Sequence, residues 1–173
     1  QNGHPEVERI GLFVNATPKS VEQTLKQVSL SLLQFHGEES SEYCKQLQFP
    51  YIKVLGVTAT TDIKGMAGSY TDAWGLILDT HDPKLKGGTG RAFDWDLWPD
   101  DIDGRLILAG GLDPSNVVQA VAQTQPFGVD VAGGVDAVDI AKGGGDGELA
   151  SGDGRECLVH LVDLLRLRVE ARR

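Results

Sequence analysis

Groups able to do acid/base chemistry stand where apolar runs of this chain end. Leu76-Ile77-Leu78 runs into Asp79 and Thr80, followed by Lys86-Gly87-Gly88-Thr89-Gly90 and Phe93-Asp94-Trp95. A short apolar run closed by an acid reads as a buried strand that delivers one carboxylate to a rim, and a glycine-rich loop lets backbone approach a ligand. His36-Gly37 closes Leu32-Leu33-Gln34-Phe35, and Asp130 lies in the apolar run Val129-Asp130-Val131-Ala132. A charged residue in such a strand needs a partner or water, which argues against passive packing. Each group also has a plainer role: an acid at a strand end commonly caps the next loop, a lone histidine serves as a structural hydrogen-bonder, and a glycine pair makes an ordinary turn.

The elements that must position these groups alternate regularly. Strands are expected at Arg9–Asn15, Leu32–Phe35, Tyr51–Val57, Trp74–Leu78, Arg105–Ala109 and Val129–Ala132. Between them Thr17-Pro18 starts a helix whose Val21, Leu25 and Val28 form one stripe, Ser40–Leu47 makes a short helix, and Thr61–Tyr70 a weak one. Asp94–Trp98 reads as a helical turn, and Asp113 with Pro114 as the cap and first position of a helix that turns Val117 and Val121 inward. Six nearly continuous apolar runs alternating with helices define an α/β chain, its parallel sheet covered by helices on the outer side. The strands end in Asn15, His36-Gly37, Asp79, Gly110-Gly111 and Gly133-Gly134, as in a (β/α) barrel that lines its active face with strand C-termini. Residues 143–154 read as a flexible glycine-rich loop, and Arg155–Glu170 as a helix with Leu158, Leu161, Val162, Leu165 and Val169 on one face.

Composition narrows the partners. The chain has 173 residues, 40% of them hydrophobic, which suits a single domain with a real core. A net charge of −9 argues against a general nucleic-acid surface, yet backbone N–H groups at helix starts can hold a small phosphorylated ligand within an acidic protein. No apolar run reaches membrane-spanning length and the first residues are polar, so the expectation is a cytoplasmic protein with neither membrane span nor signal peptide. The two cysteines, Cys44 and Cys157, lie in helix-like contexts without metal spacing, and are read as reduced thiols; neither a metal nor another cofactor is expected. The three tryptophans, Trp74, Trp95 and Trp98, read as packing residues.

Taken in order, the strand-end motifs resemble the phosphoribosylanthranilate isomerase family of tryptophan biosynthesis. They are Gly11-Leu-Phe-Val-Asn15, Leu33-Gln-Phe-His-Gly37-Glu38, Leu78-Asp79-Thr80, Gly87-Gly-Thr-Gly90 with Phe93-Asp-Trp95, Leu108-Ala-Gly-Gly-Leu112 with Pro114 and Asn116-Val117, and Gly128-Val-Asp-Val-Ala-Gly-Gly-Val135. The resemblance implies a (β/α)8 TIM barrel represented here by about six parallel strands, the family's third to eighth. At ~30 residues per unit, two further units correspond to roughly 60 residues before Gln1. In the family that region carries the catalytic cysteine, in a Lys-(Ile/Phe)-Cys-Gly strand, and an arginine for the anthranilate carboxylate; neither motif is in this sequence.

The resemblance also implies the chemistry. The family reaction is an Amadori rearrangement, in which ring opening calls for a general acid and isomerisation for a base at C2. By position Asp79 resembles the acid. The phosphate would sit on Gly110, Gly111, Gly133 and Gly134, Asp130 would meet a substrate hydroxyl, and His36 is a second-tier ligand contact. Ala132 replaces the hydroxyl residue many family members carry there, and Gly87–Gly90 reads as a loop that closes over substrate or as a plain turn. Two other readings stand beside the isomerase: a non-catalytic, phosphate-binding barrel fragment, and another phosphosugar barrel isomerase. Open sheet edges would favour self-association.

Overall fold

The computed structural model describes residues 9–80, 94–131, 148–150 and 156–158. Within them lies a six-stranded sheet in sequential order, β1 (Ile10–Phe13), β2 (Leu32–Phe35), β3 (Tyr51–Val57), β4 (Gly75–Thr80), β5 (Leu106–Leu108) and β6 (Gly128–Val129). Every neighbouring pair is parallel, as the continuous apolar runs require, since parallel strands are buried on both faces. The connections carry α1 (Pro18–Gln27), α2 (Ser41–Gln46), α3 (Ile63–Gly68), a 3-10 turn Trp95–Leu97 and α4 (Val117–Thr124). Among the described residues no helix is long and apolar enough to cross a membrane.

Local chemistry fixes where these helices start. Thr17 accepts a hydrogen bond from the Ser20 N–H, Ser40 from Tyr43 and Asp62 from Gly65, each side chain satisfying a donor that the first helical turn leaves unpaired. Strand alternation then sorts the core into two layers. On one face of the sheet Ile10, Leu32, Ile52, Val54, Ile77, Ile107 and Ala109 pack together with Trp74. On the other, Phe13, Leu33, Phe35 and Tyr51 lie under Val21 of α1 and Cys44 of α2, while Leu55, Val57, Leu76, Leu78, Leu106 and Leu108 lie under Ile63 and Ala67 of α3 and Ala120 of α4. The helix-free face is the one onto which odd-numbered residues of β4 and even-numbered residues of β2 project.

Three expectations change. The helix expected from Pro114 begins at Val117; Asp113 instead accepts from the Ser115 N–H and hydroxyl and so organises the turn before it. The sixth strand is Gly128–Val129, so Asp130 stands just past its end, its N–H donating to the Leu108 carbonyl at 2.9 Å. Glu156–Leu158, expected as the first turn of the last helix, is strand β8, antiparallel to β7 (Glu148–Ala150) inside the glycine-rich stretch. Three residues carry too little periodicity to tell strand from helix, and the pairing with Glu148–Ala150 decides it. Cys157 thus lies in a strand. Residues 159–173 lie outside the described residues, as do Gly87–Gly90, Ala132, Gly133 and Gly134.

Candidate active site at the strand C-termini

Two of the residues singled out from the sequence converge on the helix-free face. Asp79 is one alternation beyond Ile77 on β4, and pairs in register with Gly56 of β3. His36 follows Phe35 at the end of β2, its N–H held by the Phe13 carbonyl at 2.9 Å. Across β3, His36 Nε2 and Asp79 Oδ2 are 3.6 Å apart, with side chains 40% and 30% exposed. That separation is an ion pair when the imidazole is protonated and exceeds direct hydrogen-bond length. Both groups are open to a ligand, which suits proton transfer to and from substrate oxygens.

Gly110 explains how Asp79 is backed. Its φ of +86° is a conformation that only glycine adopts freely, and a Cβ built there would lie 2.7 Å from Thr80 N and 2.9 Å from Asp79 Oδ1. The backbone after β5 thereby comes against the carboxylate. Gly111 continues the turn with φ +63°, and its carbonyl accepts from Asn116 Nδ2 at 2.8 Å. Asp130 stands at the same end of the sheet, beyond the neighbouring β6. The structure thus brings His36, Asp79 and Gly110 together, with Gly111 and Asp130 on the next strand ends.

A buried polar network behind His36 escaped the sequence reading. Lys53 and Glu39 are 3% and 4% exposed, and Lys53 Nζ lies 3.3 Å from Glu39 Oε2. The ammonium also donates to the carbonyls of Phe35 at 3.2 Å, Gly37 at 2.5 Å and Val54 at 3.2 Å. Glu39 accepts the N–H groups of Asn15 at 2.6 Å and Gly37 at 2.9 Å. Asn15, in the left-handed region at φ +52°, accepts the Glu38 N–H on its side chain at 2.7 Å. Gly37 is required because a Cβ there would lie 2.8 Å from Asn15 N. The available signal was Lys53 itself, a charge inside the apolar strand Tyr51–Val57, which demands a buried partner.

Two side chains packed beside this network hold their protons at neutral pH. Burial pushes the Cys44 thiol up to about 11, so it stays protonated at neutral pH and supplies no thiolate. Burial, with Glu39 adding to it, likewise raises the Tyr43 hydroxyl to about 12, and that hydroxyl donates to the Ala16 carbonyl at 2.7 Å. Trp95 and Trp98 pack against the helix-side core, while Trp74 meets Phe127 edge-on at 5.7 Å with the Arg105 guanidinium 4.6 Å from its ring centre. Trp74 and Arg105 border a groove of about 420 Å³ beside the strand starts Gly75–Leu76 and Arg105–Leu106, away from His36 and Asp79. Among the described residues no three His, Cys, Asp or Glu side chains are grouped to hold a metal.

A parallel βα sheet with its polar groups at the strand C-termini follows the plan of barrel enzymes. A family model, N-(5'-phosphoribosyl)anthranilate (PRA) isomerase, matches residues 1–140, and the chain belongs to that family. It is 49% identical over 132 residues to the N-(5'-phosphoribosyl)anthranilate isomerase of Pseudomonas syringae pv. syringae, an alignment covering 76% of this chain and 64% of that relative. The solved phosphoribosyl anthranilate isomerase from Thermotoga maritima is 38% identical with a TM-score of 0.67, covering 78% of this chain and 66% of the other. A phosphoribosyl anthranilate isomerase in complex with reduced 1-(o-carboxyphenylamino)-1-deoxyribulose 5-phosphate is 34% identical with a TM-score of 0.64, covering 79% and 65%. The chain therefore spans less than two thirds of the Pseudomonas relative's length.

Proposed function

We propose that this chain forms one partial barrel domain, the third to eighth βα units of a phosphoribosylanthranilate isomerase, and carries the acid half of its active site. The reaction is the Amadori rearrangement of N-(5-phosphoribosyl)anthranilate to 1-(2-carboxyphenylamino)-1-deoxyribulose 5-phosphate. Asp79 delivers a proton to the ribose ring oxygen as the C1–O bond opens, and His36 hydrogen-bonds substrate oxygens beside it. Gly110 and Gly111, with Gly133 and Gly134, hold the phosphate through backbone N–H groups, and Asp130 meets a ribose hydroxyl. The base at C2 belongs to a Lys-x-Cys-Gly strand, a motif this sequence does not contain. The observation that carries the reading is the approach of His36 to Asp79 on the ligand-facing end of a sheet whose family membership is established. The complex of the 34%-identical neighbour supports the substrate class. A small phosphorylated substrate, a cytoplasmic setting without nucleic-acid or membrane partners, and oligomerisation through sheet edges complete the proposal.

A second reading rests on the sheet itself, in which β1 and β6 are the edge strands. On that reading the chain binds the phosphorylated ligand without turning it over. Mixing the purified chain with N-(5-phosphoribosyl)anthranilate and following anthranilate fluorescence separates the two. Turnover that Asp79→Asn abolishes supports the isomerase. Binding of the reduced product analogue without turnover supports the second reading, and turnover that survives Asp79→Asn removes Asp79 from its role.

A further inference from the structure

Three of the backbone groups flanking His36 end on one of two buried side chains. The Lys53 ammonium takes the carbonyls of Phe35 and Gly37, the residues on either side of the histidine. The Glu39 carboxylate takes the Gly37 N–H, and through its other oxygen the N–H of Asn15 at the neighbouring strand end. The remaining N–H, that of His36, goes to Phe13. Tyr70 fixes the clamp from the helix side, its hydroxyl donating to the Glu39 carbonyl at 2.8 Å. The His36 side chain itself is 40% exposed and reaches Asp79 at 3.6 Å from the backbone that the clamp holds.

A stabilising role alone is a weak explanation for this pair. A buried ion pair contributes little net stability compared with apolar residues of similar volume, because both ions are removed from water. What it does supply is direction: an ammonium satisfied only by acceptors in particular places defines where those carbonyls must be. The backbone it defines is that of the residue facing Asp79.

We propose that Glu39 and Lys53 are positioning residues, which lock the His36 backbone so that its imidazole is held toward Asp79 before any ligand arrives. The proposal rests on the reading of His36 and Asp79 as the ligand-binding rim. Preorganisation of this kind appears in affinity, because a fixed ring has less freedom left to lose on binding.

The test uses the purified 173-residue chain labelled with ¹³C at histidine Cε1, the His36 signal being assigned with His36→Asn. Ring order of His36 is measured by relaxation in the parent, in Lys53→Met, and in the double variant Lys53→Met with Glu39→Gln. The double variant removes both buried charges, recovering stability while leaving the two carbonyls without their ammonium. Positioning predicts that His36 ring order falls in both variants. A merely structural role predicts recovery with stability in the double variant, and that result, or unchanged order throughout, overturns the proposal.

The second arm is titration with the reduced product analogue and, separately, with inorganic phosphate. Lys53→Met and the double variant should bind the analogue about tenfold more weakly, with phosphate affinity unchanged, and the loss should vanish on a His36→Asn background. Equal analogue affinity in parent and variants overturns the proposal. If the parent binds no analogue while His36 order still falls in both variants, the clamp stands and the proposed ligand site is what fails.

Discussion

The β1–β3 half of the sheet and the β4–β6 half present their rim residues by opposite means. In the first, charge directs the chain: Lys53 and Glu39 satisfy the carbonyl and N–H groups around His36, with Asn15 in a left-handed turn alongside. In the second, contact directs it: Gly110 brings backbone against Thr80 and the Asp79 carboxylate with no room for a side chain. A site made by joining the two should fail differently on each side. The first half is sensitive to the loss of a charge and the second to the gain of a methyl group.

The largest effect that can break this contrast is at Lys53. Replacing it by Met strands the Glu39 carboxylate away from water, and urea denaturation should show a loss of about 3–5 kcal/mol. Adding Glu39→Gln should recover much of it, since a neutral pair no longer carries an unpaired buried charge. Equal loss in single and double variants would show that packing, rather than charge, holds this half.

Gly110→Ala probes the other half. The methyl meets Thr80 N and Asp79 Oδ1 from a backbone at φ +86°, and strain of this kind costs on the order of 1–3 kcal/mol. Denaturation should report that cost, and the analogue should bind more weakly as Asp79 is displaced. A neutral result would mean that the turn after β5 has slack.

The third difference is an alkaline pH response in the first half. Burial raises Cys44 from 9.0 to about 11 and Tyr43 from 10.0 to about 12. The folded state therefore holds these protons more tightly than the unfolded chain. Their contribution is complete below pH 9.0, the unfolded cysteine value, and is lost as pH rises through about 11 to about 12. Thermal denaturation across that range should show a falling Tm, with a shallower fall in Cys44→Ala and Tyr43→Phe.

The smallest effect lies in the second half, on the acid side. Hydrogen bonds from the Ser115 hydroxyl and N–H hold Asp113 below its ordinary 3.8. Its contribution is present above pH 3.8 and lost as pH falls through the lower folded value, so Asp113→Asn should flatten the acid end of the stability profile slightly.

What was legible in the sequence was local. The six parallel strands, the helix starts at Thr17 and Ser40 and the placement of His36 and Asp79 at strand ends follow from short apolar runs and the residues that close them. Long-range pairing was not legible: the lysine in Tyr51–Val57 announces a buried partner without saying which, and Glu39 is 14 residues away on another connection. The Gly110 turn was visible as a glycine pair, but its contact with Asp79 depends on the β4–β5 pairing. Leu158 fitted a helical stripe because three residues of strand look the same as one helical turn until their partner strand is known.

The two ends of the sheet offer the most direct test. Titrating the ¹⁵N-labelled chain with the reduced product analogue should shift the amides of His36, Asp79, Gly110, Gly111 and Asp130, with the Lys64, Trp74 and Arg105 amides at the opposite groove unmoved. Shifts confined to Lys64, Trp74 and Arg105, with the strand C-termini silent, would contradict the account.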